Sequence, residues 1–216
     1  MSKIRACIFD LDGVIVDTAV YHYRAWKRLA NEMGFDFTEE DNEKLKGISR
    51  VQSLELILGW GGVEKTPAEK LELATRKNTW YMQMIQEMTP EEILPGAKEF
   101  LEVVKAAGLK SALGSASKNS GLILERTGLL SLFDVIIDGN VVSASKPDPE
   151  VFLKGAEALQ IPPYECVVFE DAVAGVAAAR AGGMKVVGIG TQEILNDADM
   201  VVSGLSAFRV NMLDAL

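Results

Sequence analysis

The sequence predicts an α/β fold, a doubly wound parallel sheet with an inserted helical domain, and three observations carry that expectation. Short apolar runs recur with helical segments between them. The rhythm breaks once, over the long interval from Phe9 to Ser111, where the pattern is helical throughout. The chemically suggestive polar residues stand directly after strand runs, at the sheet edge where open α/β folds bind ligands. A chain of 216 residues, 48% hydrophobic and 25% charged, can bury a core of that kind and divide into a larger and a smaller domain.

The elements follow in order. A first strand is expected at residues 6–9, stopped by Asp10. Helical patterns then run over 23–33, closed by Gly34, over 50–58, closed by Gly59, and over 67–88. The last has a defined start, because Thr66-Pro67-Ala68-Glu69 combines a hydroxyl cap, proline at the first helical position and glutamate three residues after the cap. Leu71, Ala74, Asn78, Tyr81 and Ile85 mark its packing face. Thr89-Pro90 and Leu94-Pro95-Gly96 punctuate the chain before a helix over 97–107, ended by Gly108. Further strands are expected at 111–114, 135–137, 166–169, 185–189 and 200–202, with a helix beginning near Glu150. The stretches 16–18 and 89–96 are the expected hinges of the insertion. No repeat or low-complexity tract is visible.

A net charge of −9 argues against a nucleic-acid or anionic-membrane partner, since either needs clustered Lys and Arg. An anionic ligand would have to be captured by a few local cations. The two cysteines, Cys7 and Cys166, lie in apolar runs and read as reduced, packed thiols. Lys3 and Arg5 precede only a short apolar stretch before Asp10, so neither a secretory signal nor a membrane span is expected, and the location is read as cytoplasmic.

Asp10-Leu11-Asp12-Gly13 places two carboxylates two residues apart at a glycine turn. Such a pair suffers repulsion and desolvation unless a cation or proton intervenes. A carboxylate can also attack phosphorus, and a second beside it can trade protons with the attacking or leaving hydroxyl. Ser115 follows the second strand run and Glu170-Asp171 the fourth, while Lys146 stands in Ser145-Lys146-Pro147. Four carboxylates facing one lysine call for a divalent cation, and an oxygen-only set with room for water and phosphate suits Mg²⁺ better than Zn²⁺. Each piece alone has a plainer reading: a turn, a helix cap, a solvated lysine, the acidic start of a helix. Their joint occurrence in this order is what points to chemistry.

On these residues the chain resembles the haloacid dehalogenase superfamily of phosphotransferases, over essentially its whole length and most weakly over residues 203–216. The resemblance implies that Asp10 is the phosphorylated nucleophile and Asp12 the general acid and base. It implies that Asp10, Asp12 through its backbone carbonyl, Glu170 and Asp171 hold Mg²⁺, and that Ser115, Ala116 and Lys146 bind the transferring phosphoryl group. The insertion corresponds to that family's helical cap, giving a haloacid dehalogenase-like core over 1–16 and 93–216 and a cap over 17–92. Within the superfamily, the segments at 18–26, 45–50, 76–78 and 114–119 are similar to the phosphomutases that interconvert β-glucose 1-phosphate and glucose 6-phosphate through β-glucose 1,6-bisphosphate. That likeness implies a second phosphate grip by Arg50, Ser117, Lys118 and Asn119, a task suited to an arginine fork. It implies a sugar pocket drawn from Trp26, Lys46, Gly47, Ser49, Ser53 and Lys77, with Thr18, His22 and Lys77 positioning Asp12. Thr18, His22 and Trp26 also share one helical face, at i, i+4 and i+8.

The expected partners are therefore a small-molecule hexose phosphate and bisphosphate, with no nucleic acid and no membrane, and the chain is expected to act as a monomer. Two other readings share part of the pattern. A Mg²⁺-dependent sugar-phosphate phosphatase would use the same scaffold and release phosphate to water. A receiver-like signalling module also pairs a phosphorylatable Asp with a Lys, but it needs neither a lid nor an acid like Asp12.

Overall fold

A computed structural model describes residues 3–216; Met1 and Ser2, with which the expected core segment begins, lie outside the described residues. The apolar runs become strands β1 (Ala6–Phe9), β2 (Lys110–Gly114), β3 (Val135–Ile137), β4 (Cys166–Glu170), β5 (Lys185–Ile189) and β6 (Met200–Val202). They form one parallel sheet in the order β3-β2-β1-β4-β5-β6. The chain winds outward from β1 through β2 to β3, then returns to place β4 on the other side of β1. Strand order therefore reverses at β1, and the crevice there opens at the carboxyl ends of β1 and β4.

Both faces of the sheet are buried, which is why its strands read as continuous apolar runs rather than alternating ones. Cys7 and Phe9 of β1 pack to one side with Phe100, Leu101 and Val104 of α5 (Ala97–Ala106) and with Ile123 and Leu124 of α6 (Ser120–Thr127). Phe9, Phe169, Phe100 and Phe208 form an aromatic knot on that side, with Phe9 stacked on Phe169 at 4.8 Å between ring centroids. Ala6 and Ile8 face the other way, against α7 (Glu150–Leu159) and α8 (Val173–Ala181). Cys7 and Cys166 thus point to opposite faces, both buried and both free, and burial pushes each thiol up. The terminal stretch closes the first side, where Leu205, Phe208 and Leu213 are buried.

Between β1 and β2 lie α1 (Ala19–Glu32), α2 (Glu39–Glu43), α3 (Arg50–Gly61) and α4 (Pro67–Ile85), with a core of their own around Trp26, Leu29, Phe37, Leu54, Ile57 and Leu73. The capping box at Thr66 and Glu69 is present, with Pro67 at the start of α4. Several boundaries differ from expectation. α1 begins at Ala19 rather than Tyr23. α3 runs past Gly59 and stops at Gly62, whose left-handed backbone ends it. α4 ends at Ile85, three residues short. Leu71 is 71% exposed; Ala74, Tyr81 and Ile85 are buried as expected, and Leu73 and Lys77 complete the buried stripe of α4. Leu71 stands beside that stripe, where the helix faces a cleft.

The two connections to the insertion pair with each other. Val16 bridges to Ile93, the Asp17 amide donates to the Glu92 carbonyl at 3.1 Å, and the Leu94 amide donates to the Ile15 carbonyl at 3.0 Å. The Tyr21 hydroxyl of α1 adds a hydrogen bond to the Glu92 carboxylate at 3.0 Å.

Candidate active site

The switch-point crevice gathers the residues that the sequence singled out. Asp10 follows β1, Glu170 ends β4 and Asp171 comes next, so the β1–β4 pairing brings them together. One carboxylate oxygen from each of Asp10, Glu170 and Asp171 lies within 4.8 Å of the other two. Gly13 turns the chain with φ near +80°, and a side chain there would collide with the Asp171 carboxylate. Gly175 of α8 does the same for Glu170, whose carboxylate occupies the space a Cβ would need. The chain has thus cleared room for acidic groups against their mutual repulsion. Lys146 reaches in with an ammonium 2.5 Å from Asp10 and 2.8 Å from Glu170, its side chain only 1% exposed.

Burial, together with the neighbouring acids, raises the affinity of Asp12, Glu170 and Asp171 for protons. Asp12 is pushed up to about 8 by desolvation first, then by the charges of Asp10 and Asp171, against the pull of Lys146 and Lys77. For Lys146, burial works against the charge, but Asp10 and Glu170 outweigh it and raise its pKa. Lys146, even with Lys46 at Asp171, does not balance the four carboxyls of Asp10, Asp12, Glu170 and Asp171, and the all-oxygen donors fit a hard divalent cation. These carboxyls hold protons more tightly folded than unfolded, so the native state binds more protons between an ordinary carboxyl pKa of 3.8 and about 8, and stability falls as pH rises across that window. Chelator-treated protein is therefore expected to melt at a lower temperature at about pH 8.5 than at about pH 5.5, with an added divalent cation raising the melting temperature more at the higher pH. Thermal melts at both pH values check this; equal melting temperatures with no cation effect would contradict it.

The insertion supplies the facing wall. Thr18 precedes α1 at the cap position, yet its hydroxyl makes no capping bond and donates instead to Asp12. The expected face of α1 is present: His22 lies one turn on, and Trp26 another. Lys77 of α4 meets the His22 Nδ1 at 2.8 Å and sits over the Trp26 ring at 4.4 Å and the Tyr81 ring at 4.7 Å. Burial and nearby cations push both His22 and Lys77 well toward their neutral forms, so Lys77 can donate to an unprotonated Nδ1. Lys77 bonds to His22, while the hydrogen bond to Asp12 is Thr18's. Lys46 forms ion pairs with Glu43 at 2.8 Å and, across the crevice, with Asp171 at 3.3 Å.

These groups enclose one cleft of about 710 Å³ between the insertion and the sheet edge. From the insertion it is lined by His22, Trp26, Lys46, Gly47, Ser49, Arg50, Ser53 and Lys77; from the core by Asp10, Asp12, Ser115, Ala116, Ser117, Lys118, Asn119 and Lys146. Trp26 is only 2% exposed and mainly packs the insertion. Thr18 and Glu170 are buried behind the cleft wall. The loop after β2 is held in shape: the Ser115 amide extends the ladder to Ile137 at 3.0 Å, the Ser117 amide donates to the Ser115 Oγ at 3.1 Å, and the Asn119 amide donates to the Ser117 Oγ at 3.2 Å. Arg50 and Lys118 thus lie in the same cleft as Lys146, so it offers cationic groups beyond the one engaged with Asp10.

Two further residues of the wall were read from sequence as packing. Tyr81 is buried and lines the cleft, its ring 4.2 Å from that of His22. Asn78 accepts a hydrogen bond from the Asn119 side chain at 3.1 Å. The available signal was polarity: an amide and a phenol on a helix face otherwise made of Leu, Ala and Ile.

The family described as haloacid dehalogenase-like hydrolase matches residues 4–183. A β-phosphoglucomutase from Bacillus subtilis (strain 168) is 43% identical over 212 residues, covering 97% of this chain and 94% of that protein. A phosphorylated carbohydrates phosphatase from Thermotoga maritima is 31% identical over 197 residues, covering 90% of this chain and 88% of that protein. A crystal structure of a β-phosphoglucomutase from Clostridium difficile superposes with a TM-score of 0.94 at 42% identity, over 98% of this chain and 96% of that one.

Proposed function

The chain belongs to the haloacid dehalogenase-like hydrolase family, and from that premise we propose that it is a β-phosphoglucomutase, an isomerase that interconverts β-glucose 1-phosphate and glucose 6-phosphate. The observation that carries the reading is one cleft lined both by Asp10 of the acidic cluster with Lys146 and by two further cationic side chains, Arg50 and Lys118. A bisphosphate needs two anion sites, and a phosphatase acting on a sugar monophosphate needs one.

In this reading residues 1–16 and 93–216 form the catalytic core and residues 17–92 the cap. Asp10 attacks the phosphorus of bound β-glucose 1,6-bisphosphate, the bond from phosphorus to the sugar oxygen breaks, and Asp12 gives its proton to that oxygen. When the phosphate taken is the one on C1, glucose 6-phosphate leaves; the 6-hydroxyl of an incoming β-glucose 1-phosphate then attacks the aspartyl phosphate, gives its proton to Asp12 and frees Asp10, and the bisphosphate so formed turns end for end before the next transfer. The raised pKa of Asp12 suits it to hold the proton it must donate. Thr18, His22 and Lys77 position Asp12, while Ser115, Ala116 and Lys146 hold the transferring group. Arg50, Ser117, Lys118 and Asn119 grip the distal phosphate, and Lys46, Gly47, Ser49, Ser53 and Trp26 border the sugar. Asp10, Glu170, Asp171 and the Asp12 carbonyl would hold Mg²⁺, which supplies positive charge against the incoming phosphate. We assign the protein a monomeric, cytoplasmic role with no nucleic-acid or membrane partner; among the described residues no helix is long and apolar enough to cross a membrane.

Phosphorus NMR of β-glucose 1-phosphate with Mg²⁺ and a trace of bisphosphate is expected to show glucose 6-phosphate accumulating with little inorganic phosphate, and no turnover of the α-anomer. The likeness to the T. maritima phosphatase favours the alternative, a sugar-phosphate phosphatase, and stoichiometric phosphate release without isomerised product would select it. Arg50→Ala is expected to raise KM for the monophosphate and the half-saturating bisphosphate about 10- to 100-fold, the worth of a charge-assisted contact, as steady-state kinetics would read.

A further inference from the structure

Asn119 stands at the cap position of α6, where an asparagine side chain ordinarily accepts from the helix's own amides. It makes no such bond. Its Nδ2 instead donates across the cleft to the Oδ1 of Asn78 on α4, at 3.1 Å. The backbone around Asn119 is otherwise fixed from the core side alone, by the Ser117 Oγ on its amide, by the Gly139 amide on the Ser117 carbonyl at 3.1 Å and by the Asn140 side chain on the Lys118 carbonyl at 3.0 Å. Asn78 is therefore the group from the insertion that sets which way the Asn119 amide faces.

Resting on the function proposed above, we infer that Asn78 is a positioning residue for the distal phosphate, joining closure of the cap to assembly of that grip. The hydrogen-bond inventory gives the reason. An amide nitrogen carries two hydrogens; Asn119 gives one to Asn78, which fixes the plane of its amide and leaves the other for an anion. Asn78, using only its oxygen as acceptor, keeps both of its own N–H groups free at the same place. With the insertion swung away, both amides lose their partner and their orientation. The cleft then presents the distal phosphate with unaligned donors, and binding must supply the ordering.

The test compares Asn78→Ala and Asn78→Asp with the wild type. The aspartate keeps the acceptor for Asn119, is nearly isosteric, and replaces two donors by a negative charge. For Asn78→Ala, KM for β-glucose 1-phosphate and the half-saturating glucose 1,6-bisphosphate are expected to rise about tenfold with kcat within about threefold; Asn78→Asp should lose more. Phosphorylation of Asp10 by acetyl phosphate, a donor with no second phosphate, should stay at the wild-type rate in both. KM and activation unchanged in both variants would overturn the inference. So would an equal slowing of acetyl phosphate, which would mean only a disturbed cap. If the wild type does not isomerise at all, the functional reading fails separately. Calorimetry of glucose 6-phosphate binding then decides: about tenfold weaker binding in both variants supports the role of Asn78, and unchanged affinity overturns it.

Discussion

Asp10→Asn is expected to lower isomerisation by at least about four orders of magnitude while leaving the fold intact. An amide fills nearly the same volume, so the 5%-exposed site stays packed. What is lost is the anionic oxygen that must form the bond to phosphorus. Removing one of several crowded carboxylates also relieves repulsion on Glu170 and Asp171, so the melting temperature should stay level or rise. Lys146 keeps a partner in Glu170 at 2.8 Å, which spares the variant an unpaired buried ammonium. A coupled assay for glucose 6-phosphate and a thermal melt, read together, separate loss of the nucleophile from loss of structure.

The second large effect is expected at Asp12, and it should depend on the leaving group. Sugar oxygen leaves badly as an alkoxide and needs a proton, so Asp12→Ala should cost isomerisation about 10²- to 10⁴-fold. Acetate leaves well without a proton. The same variant should therefore still be phosphorylated on Asp10 by acetyl phosphate at close to the wild-type rate. Deleting Asp12 also frees the Thr18 hydroxyl, whose bond to it replaces an ordinary helix cap, at a cost to stability of about 1 kcal/mol. Single-turnover quench experiments with the two donors distinguish a missing acid from a misplaced nucleophile, which would slow both.

How much of this was legible in the sequence follows from the range of the forces involved. The strands were legible because a sheet buried on both faces must be apolar at every position, as in Cys166-Val167-Val168-Phe169. The acidic cluster was legible because turn chemistry and charge pin Asp10, Asp12 and Asp171 to strand ends. α2 was not, because Glu39-Glu40-Asp41-Asn42-Glu43 has no apolar periodicity; its one local mark is the capping box between Thr38 and Asp41. Leu71 was misplaced because helical spacing alone does not say which flank meets a cleft and which meets a core. Cross-cleft pairs such as Lys46 with Asp171 and Asn78 with Asn119 depend on how the insertion docks, a long-range outcome that no local pattern encodes.

The most direct measurement traps the covalent intermediate. Acyl phosphates are reduced by borohydride to alcohols, so wild-type protein quenched during turnover of β-glucose 1-phosphate with bisphosphate and Mg²⁺, then reduced and digested, should carry homoserine at position 10. Asp12, Glu170 and Asp171 should remain unmodified. Reduction at another carboxylate, or isomerisation proceeding at full rate with position 10 never modified, would contradict the claim that Asp10 carries the phosphoryl group.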